Sequence, residues 1–215
     1  MPCGVDTVAA SQRMTPIHLD EQLIVVDKPA GLLAVPGRHE PDCVAARVQA
    51  LWPDARVVHR LDMATSGLLL FARGAHAQRV LGQAFAARRV DKHYVAVVHG
   101  LPAADEGSVE LPLAADWPNR PRQMVDVADG KPALTHWRVL ARDAATGTPR
   151  RELQPVTGRS HQLRVHLAAI GHAIAGDALY GRGDGCARLL LHACALAFAH
   201  PASAEPLRFE SPPPF

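Results

Sequence analysis

Residues 59–67 read HRLDMATSG and place one carboxylate, that of Asp62, between two apolar runs. These runs, residues 57–58 and 68–71, have the uninterrupted apolar character that is typical of buried strands. A carboxylate between buried strands costs free energy unless a partner or a function keeps it there. Capping a turn is the commonest role of an Asp at such a place, so this stretch alone favours a structural role for Asp62. The rest of the sequence reverses that preference.

The composition is that of an ordinary globular protein. The chain has 215 residues, enough to bury a core in one domain or in two closely joined lobes. No apolar run is long enough to span a bilayer, and the first residues lack the basic-then-apolar pattern of a secretion signal. The four cysteines form no C-x-x-C pair and no zinc-like group. We therefore expect a cytoplasmic protein with reduced thiols, and no contact with membranes.

The basic residues are clustered although the net charge is only +2. Residues 56–92 contain seven Lys or Arg against two acids, and residues 150–172 contain four Arg against Glu152 alone. Two basic segments on a nearly neutral protein indicate one local surface for an anionic partner, as in proteins that bind nucleic acids.

The apolar periodicity predicts more strands than helices, in an order that does not alternate as in a doubly wound sheet. Strands are predicted at 22–28, 32–35, 56–61, 67–73, 92–99, 188–199 and 207–210, with several more between 107 and 151. Helices are predicted at 41–52, with Val44, Val48 and Leu51 buried, at 75–89, and after Ser160 as N-cap. Residues 1–16 and 211–215 look like extensions. The predicted class is α+β, with a mixed, mostly antiparallel central sheet and flanking helices.

Arg164 is unusually placed for a cation. It falls in the first turns of the helix after Ser160, where the positive end of the helix dipole disfavours it, and it neighbours Leu163 on the buried side. Arg164 therefore needs a carboxylate and Asp62 needs a cation, so the economical hypothesis pairs the two. In the alternative, Arg164 reaches solvent, and Asp62 pairs with Arg60 or with a backbone N–H.

Other side chains with possible chemistry give weaker signals. Tyr94 could stack on a base, but its place in a strand favours a core role. His161 and His166 have no acid at ligand spacing, which argues against a metal site. Ser66 lacks the G-x-S-x-G frame of a serine hydrolase, and no phosphate-binding glycine pattern occurs. We expect neither a metal nor an organic cofactor.

The motif at residues 59–67 resembles the catalytic motif of the RluA-type pseudouridine synthases. Three further blocks agree with that family in order and spacing: DKPAGL at residues 27–32, KHYVA at 92–96, and GRSHQLRVH at 158–166 followed by GH at 171–172 and GD at 176–177. The resemblance covers nearly the whole chain. Met63-Ala64 and the segment at 116–121 are similar to the branch that acts on both tRNA and 23S rRNA.

The resemblance implies the pseudouridine synthase fold, with two lobes and a central cleft, for a catalytic domain at 17–215 preceded by the extension at 1–16. It implies that Asp62 is the catalytic aspartate, Arg164 its partner, and Tyr94 a residue that lies against the target base. Arg60 matches an arginine that enters the helical stack when the base leaves it, and Leu163 matches an apolar wall of the pocket. The RNA-binding candidates are Arg60, His59, Thr65, Leu163, Arg79, Arg88, Arg89 and Arg159.

The implied activity converts uridine to pseudouridine in structured RNA, in hairpin loops of 23S rRNA and tRNA, by a protein expected to be a monomer. Whether Asp62 acts as a nucleophile or as a base stays open at this point. Two other classes of function are alternatives for the same residues: a non-catalytic RNA-binding or RNA-folding protein that uses the same cleft, and a small-molecule lyase or hydrolase that uses Asp62 and a histidine.

Overall fold

The computed structural model describes residues 14–142, 148–181 and 183–215. Within these ranges, ten strands form one large sheet and two form a small hairpin, with three helices packed against them. The strands are β1 Pro16–Leu19, β2 Leu23–Lys28, β3 Ala55–Val57, β4 Ser66–Arg73, β5 Asp91–Val97, β6 Glu106–Glu110, β7 Leu113–Ala115, β8 Gln123–Val125, β9 Leu134–Ala141, β10 Arg150–Pro155, β11 Leu191–Ala199 and β12 Pro206–Glu210. The helices are α1 Val44–Leu51, α2 Gly74–Ala86 and α3 Gln162–Ala169.

The large sheet has the order β1-β2-β4-β11-β5-β10-β9-β6, and its neighbours are antiparallel except β4 and β11. This parallel contact joins Ser66 and Gly67 to His192 and Ala193; farther along, β3 pairs with β4 and β12 pairs with β11. Gly67 has φ +112, and a Cβ there would lie 2.3 Å from the carbonyl oxygen of Ala193. The close approach at the centre of the sheet therefore requires glycine.

The two faces of the sheet carry different helices, because successive strand residues point to opposite sides. On one face, Leu69, Phe71 and Tyr94 pack against α1, and Tyr94 continues into the cluster that contains Leu163 and Leu167 of α3. On the other face, Leu68 and Leu70 pack against Ala77 and Leu81 of α2. The segment that carries Asp62 joins β3 to β4 and so emerges at the centre of the sheet.

The predicted class, α+β with a mixed and mostly antiparallel sheet, is confirmed. The strand predicted at 32–35 is wrong. Carbonyl groups of Leu33 and Ala34 accept the first amides of α1, at 2.9 and 3.1 Å, instead of joining the sheet. Helix α1 accordingly begins only at Val44, and Leu51, predicted to be buried, is 51% exposed.

The N-cap predicted at Ser160 is also wrong, since α3 begins after His161, which has φ 53. The carboxamide oxygen of Gln162 accepts hydrogen bonds from the Thr157 hydroxyl at 2.7 Å and from Arg159 N at 3.0 Å. These bonds hold residues 157–161 in a loop and delay the helix. Most of the extension predicted at 1–16 lies outside the described residues, but Pro16 already belongs to β1.

Candidate active site

The guanidinium of Arg164 contacts two carboxylates, those of Asp177 and Asp62. Its Nε and Nη2 donate to the two oxygens of Asp177 at 2.8 and 2.7 Å, and its Nη1 lies 3.5 Å from Oδ2 of Asp62. Burial opposes the charged form of Arg164, but the hydrogen bonds and charge of Asp177 outweigh it and raise the pKa of Arg164. The predicted pairing of Arg164 with Asp62 is present, but it is the longer of the two contacts. The closer partner, Asp177, was not predicted.

Asp177 is itself fixed by the backbone. Its Oδ1 accepts hydrogen bonds from the amides of Leu179 and Tyr180 at 2.9 and 3.1 Å. Burial alone would raise the pKa of Asp177, yet Arg164 and these amides hold it below its ordinary value. The side chain of Asp177 is fully buried, whereas that of Asp62 is 27% exposed. Asp62 is therefore the carboxylate that a bound molecule can reach.

Tyr94 lies on β5 between the two core clusters on this face of the sheet and packs close to Leu163. Burial, and next the negative charge of Asp62, raise the pKa of Tyr94 above its ordinary value. The phenol is therefore neutral at physiological pH. A neutral aromatic ring suits stacking on a base, whereas a phenolate acting as a base is disfavoured here.

His161 faces the second oxygen of Asp62, with Nε2 3.9 Å from Oδ1. Its Nδ1 is hydrogen-bonded to the hydroxyl of Tyr180 at 2.8 Å, and that hydroxyl accepts Gln123 N at 2.7 Å. Burial lowers the pKa of His161, although the charge of Asp62 opposes this effect. His161 and Asp62 lie far apart in the sequence, and no spacing pattern links them, so this contact was not predicted.

Lys28 fixes the backbone next to Asp62. Its fully buried ammonium donates to the carbonyl oxygens of Pro29, Leu32 and Met63, at 2.9, 2.7 and 2.9 Å. Burial lowers the pKa of Lys28 to about 8, with Asp62 opposing the shift. Because the three bonds use all three ammonium protons, Lys28 serves to hold the loop.

The amino-acid sequence matches a family of known enzymes. A family model described as RNA pseudouridylate synthase matches residues 22–169. The chain belongs to the RNA pseudouridylate synthase family. It is 48% identical over 204 residues to the dual-specificity RNA pseudouridine synthase RluA of Escherichia coli (strain K12), a match that covers 93% of each chain, and to its counterpart in Pasteurella multocida (strain Pm70), with the same identity and coverage.

Solved structures agree with this pseudouridine synthase assignment. Human RNA Pseudouridylate Synthase Domain Containing 1 superimposes with a TM-score of 0.80 at 28% identity, covering 94% of this chain and 84% of that one. Human RNA Pseudouridylate Synthase Domain Containing 4 gives 0.74 at 24% identity, with 93% and 88% covered, which supports the fold. The protein is thus an RNA-modifying isomerase with the pseudouridine synthase fold.

Four of the RNA-binding candidates of this synthase lie on the side of Asp62. Arg60 is exposed two residues before it, and Thr65 is buried, with its amide donating to the carbonyl of Asp62 at 3.1 Å. Leu163 is buried beside Tyr94. Arg159 is exposed in the loop before α3, where its Nε donates to Pro132 O at 3.1 Å.

The other four candidates are not brought to Asp62. Arg79, Arg88 and Arg89 are exposed on α2 or just after it, and α2 packs on the opposite face of the sheet from Tyr94. The ring of His59 stacks on Phe85 of α2 with centroids 4.7 Å apart, and its Nε2 accepts the amide of Leu70 at 3.0 Å. These contacts hold the start of the segment that carries Asp62 against α2, and they give His59 a structural role that does not involve RNA.

Proposed function

We propose that this pseudouridine synthase acts on structured RNA in the cytoplasm, as a monomer, on uridines in hairpin loops of 23S rRNA and tRNA. The name of the bacterial relatives, dual-specificity RNA pseudouridine synthase, supports two classes of RNA. Among the described residues, none of the helices is long and apolar enough to cross a membrane. The observation that carries the assignment of the site is the reach of Arg164 from the buried Asp177 to the accessible Asp62.

A uridine in a stacked loop is inaccessible to Asp62, so it must leave the stack, at a cost of a few kcal/mol. We propose that Arg60, exposed on the segment before Asp62, enters the vacancy and offsets part of that cost. Tyr94 and Leu163 then hold the extruded base by stacking and apolar contact. In this proposal the C1′ end of the nucleoside faces Asp62.

The net reaction is an isomerisation with no co-reactant. The N1–C1′ bond breaks, the uracil turns, C5 forms the new bond to C1′, and the proton lost from C5 is balanced by one gained at N1. As a nucleophile, Asp62 would attack C1′ and be displaced by C5; as a base, it would take a proton from the ribose and return it. In either route Arg164 supplies fixed positive charge beside the carboxylate, which requires no reorganisation during the reaction.

The test is Asp62→Asn, which keeps the size of the side chain and removes its charge and nucleophilicity. We expect normal folding, RNA affinity within about twofold of wild type, and no pseudouridine in anticodon stem-loop and 23S rRNA hairpin transcripts by mass spectrometry of the nucleosides. Asp54→Asn is the matched control, since Asp54 lies in an exposed ion pair with Arg73. Pseudouridine formation by Asp62→Asn at the wild-type rate would refute the site.

The non-catalytic alternative makes the opposite prediction. If the protein acted only by binding or folding RNA, Asp62→Asn would bind as well as wild type and restore every effect of deleting the gene. We expect instead that it fails to restore the missing pseudouridines when cellular RNA of a deletion strain is mapped. That map also identifies the modified uridines.

A further inference from the structure

A chain of hydrogen bonds runs behind the catalytic segment, on the face of the sheet opposite Tyr94. Arg188 Nη2 lies 2.5 Å from Ser66 Oγ, and Ser66 Oγ lies 2.9 Å from His192 Nδ1. His192 Nε2 lies 3.1 Å from Ser211 Oγ, which is 2.6 Å from Asp27 Oδ2. The three middle members, Ser66, His192 and Ser211, are 3%, 1% and 4% exposed.

The protons along this chain point in one direction. A guanidinium can only donate, so Ser66 Oγ accepts from Arg188 and its own proton goes to Nδ1 of His192. The imidazole then carries its proton on Nε2, which faces the hydroxyl and the carbonyl oxygen of Ser211 at 3.1 and 3.2 Å, and the Ser211 hydroxyl donates to the carboxylate of Asp27. Burial lowers the pKa of His192, which agrees with a neutral ring in this role. The chain therefore runs from a cation to an anion through three neutral groups.

The chain connects segments that are distant in sequence. Asp27 precedes Lys28, whose ammonium holds the carbonyl of Met63 from the front, and Ser66 is the first residue of β4. Ser211, expected from the sequence to lie in a terminal extension, is buried, and its amide donates to Cys194 O at 2.9 Å. The segment that carries Asp62 is thus held at Met63 from one side and at Ser66 from the other.

We propose that Ser211, acting through His192 and Ser66, is a positioning residue for Asp62, so that the C-terminal segment sets the geometry of the reacting carboxylate. The proposal rests on Asp62 being the reacting group. It explains why a hydroxyl at the end of the chain is buried against β2 and β11 rather than exposed. It also makes Ser66 and Ser211 act as one unit. Removing the Ser66 hydroxyl breaks the link to His192, and removing the Ser211 hydroxyl leaves the imidazole with the Ser211 carbonyl alone and disconnects it from Asp27.

The experiment measures kcat and KM for pseudouridine formation in an anticodon stem-loop by Ser211→Ala, Ser66→Ala and the double variant. We expect each single variant to lower kcat about ten- to a hundredfold, as displacement of a reacting group does, with KM within about twofold. The double variant should resemble the single ones, since the second change finds the chain already broken. Ser203→Ala is the control, because Ser203 is an exposed serine bonded to His200.

Either of two results would overturn the proposal: a wild-type kcat per folded molecule in Ser211→Ala, or independent and multiplying effects in the double variant. Should Ser211→Ala fold poorly, Asp27→Ala removes the acceptor at the other end of the same chain, and the same loss of kcat at constant KM is expected. These results can be told apart from those of Asp62→Asn. Wild-type activity of Asp62→Asn would refute the proposed site, whereas wild-type activity of Ser211→Ala would refute only the positioning role of Ser211.

Discussion

Arg164 and Asp177 form a two-point ion pair beneath the candidate active site, and this pair aims the remaining guanidinium nitrogen at Asp62. The two hydrogen bonds to Asp177, of 2.7 and 2.8 Å, fix the plane of the guanidinium. The 3.5 Å contact of the third nitrogen with Asp62 follows from the planar geometry of that group. The ring of Tyr180 lies over the guanidinium, whose central carbon is 5.1 Å from the ring centroid. The carboxylate of Asp62 is thereby oriented by a cation that Asp177 anchors.

The first prediction is that Asp177→Asn lowers both activity and stability, although Asp177 lies behind Arg164. Breaking a buried pair leaves an uncompensated charge, at a cost of about 3–5 kcal/mol. Arg164 should also lose its orientation, with a fall in kcat of about a hundredfold. Urea unfolding and single-turnover pseudouridine formation measure the two effects, with Asp54→Asn as control. Unchanged turnover in a folded Asp177→Asn protein would contradict the proposed role of the pair.

The second prediction separates Arg60 from the arginines of α2. If Arg60 fills the space left by the target base, Arg60→Ala should lower the extent of base extrusion and reduce turnover by about ten- to a hundredfold, equivalent to a few kcal/mol at most. Arg79→Ala should leave turnover unchanged, since Arg79 lies on the other face of the sheet. A fluorescent base analogue beside the target uridine reports extrusion directly. Equal effects of the two substitutions would refute this division of roles.

The sequence contains the local part of the site but little of its tertiary part. The apolar runs around Asp62 predict its position before β4, and the helix dipole argument predicts that Arg164 needs a carboxylate. The choice of Asp177 depends on a loop that folds back from beyond α3, which no periodicity reveals. Lys28 looks like the polar end of a strand, and its role appears only when three carbonyl groups converge on it.

Clustering of charge along the chain was a poor guide to clustering in space. Arg79, Arg88 and Arg89 follow Arg60 closely in sequence, but α2 packs on the face of the sheet opposite Tyr94. His161, by contrast, lies far from Asp62 in sequence and faces it at 3.9 Å. Side chains alternate between the two faces of a strand, but the sequence does not show which face packs against which helix. The position of these arginines relative to Tyr94 was therefore not predictable.

The third prediction concerns the pH dependence of stability. Burial lowers the pKa of His59 to about 3. In the unfolded chain His59 has its ordinary pKa near 6.5, so between these two values it is protonated in the unfolded chain but not in the folded one. Stability should therefore fall as pH falls through and below about 6.5, with His59 contributing about 1.4 kcal/mol between pH 7.5 and 5.5. His59→Gln keeps an acceptor for Leu70 N and removes the titration.

Urea unfolding at the two pH values should show this part of the slope disappear in His59→Gln and persist in His39→Gln, which changes an exposed histidine. Some slope should remain in both, because burial also lowers the pKa of His161, His166 and His192. A slope in His59→Gln as steep as in wild type would show that the folded protein does protonate His59.

The last prediction is that removing a charge from the core stabilises the protein. Arg151 is fully buried, and its Nε, Nη1 and Nη2 have no hydrogen-bond partner among the residues that the structure describes. Its guanidinium carbon lies 4.4 Å from the centroid of the Trp137 ring, and burial, followed by the charge of Arg142, lowers its pKa to about 10. A buried group without hydrogen bonds costs about 1–3 kcal/mol, and more when charged.

Arg151→Met keeps an unbranched apolar stem over Trp137 and removes the guanidinium, so it should raise the free energy of unfolding by about 1–3 kcal/mol and Tm by several degrees. Arg138→Met is the control, because Arg138 forms a partly exposed ion pair with Glu152 on the neighbouring strand and such pairs contribute at most about 1 kcal/mol. Activity should not change, since Asp62 and Arg164 are not touched. A loss of stability in Arg151→Met would contradict this prediction. It would mean that the cation-π contact with Trp137 contributes more free energy than the desolvation of the three donor groups costs.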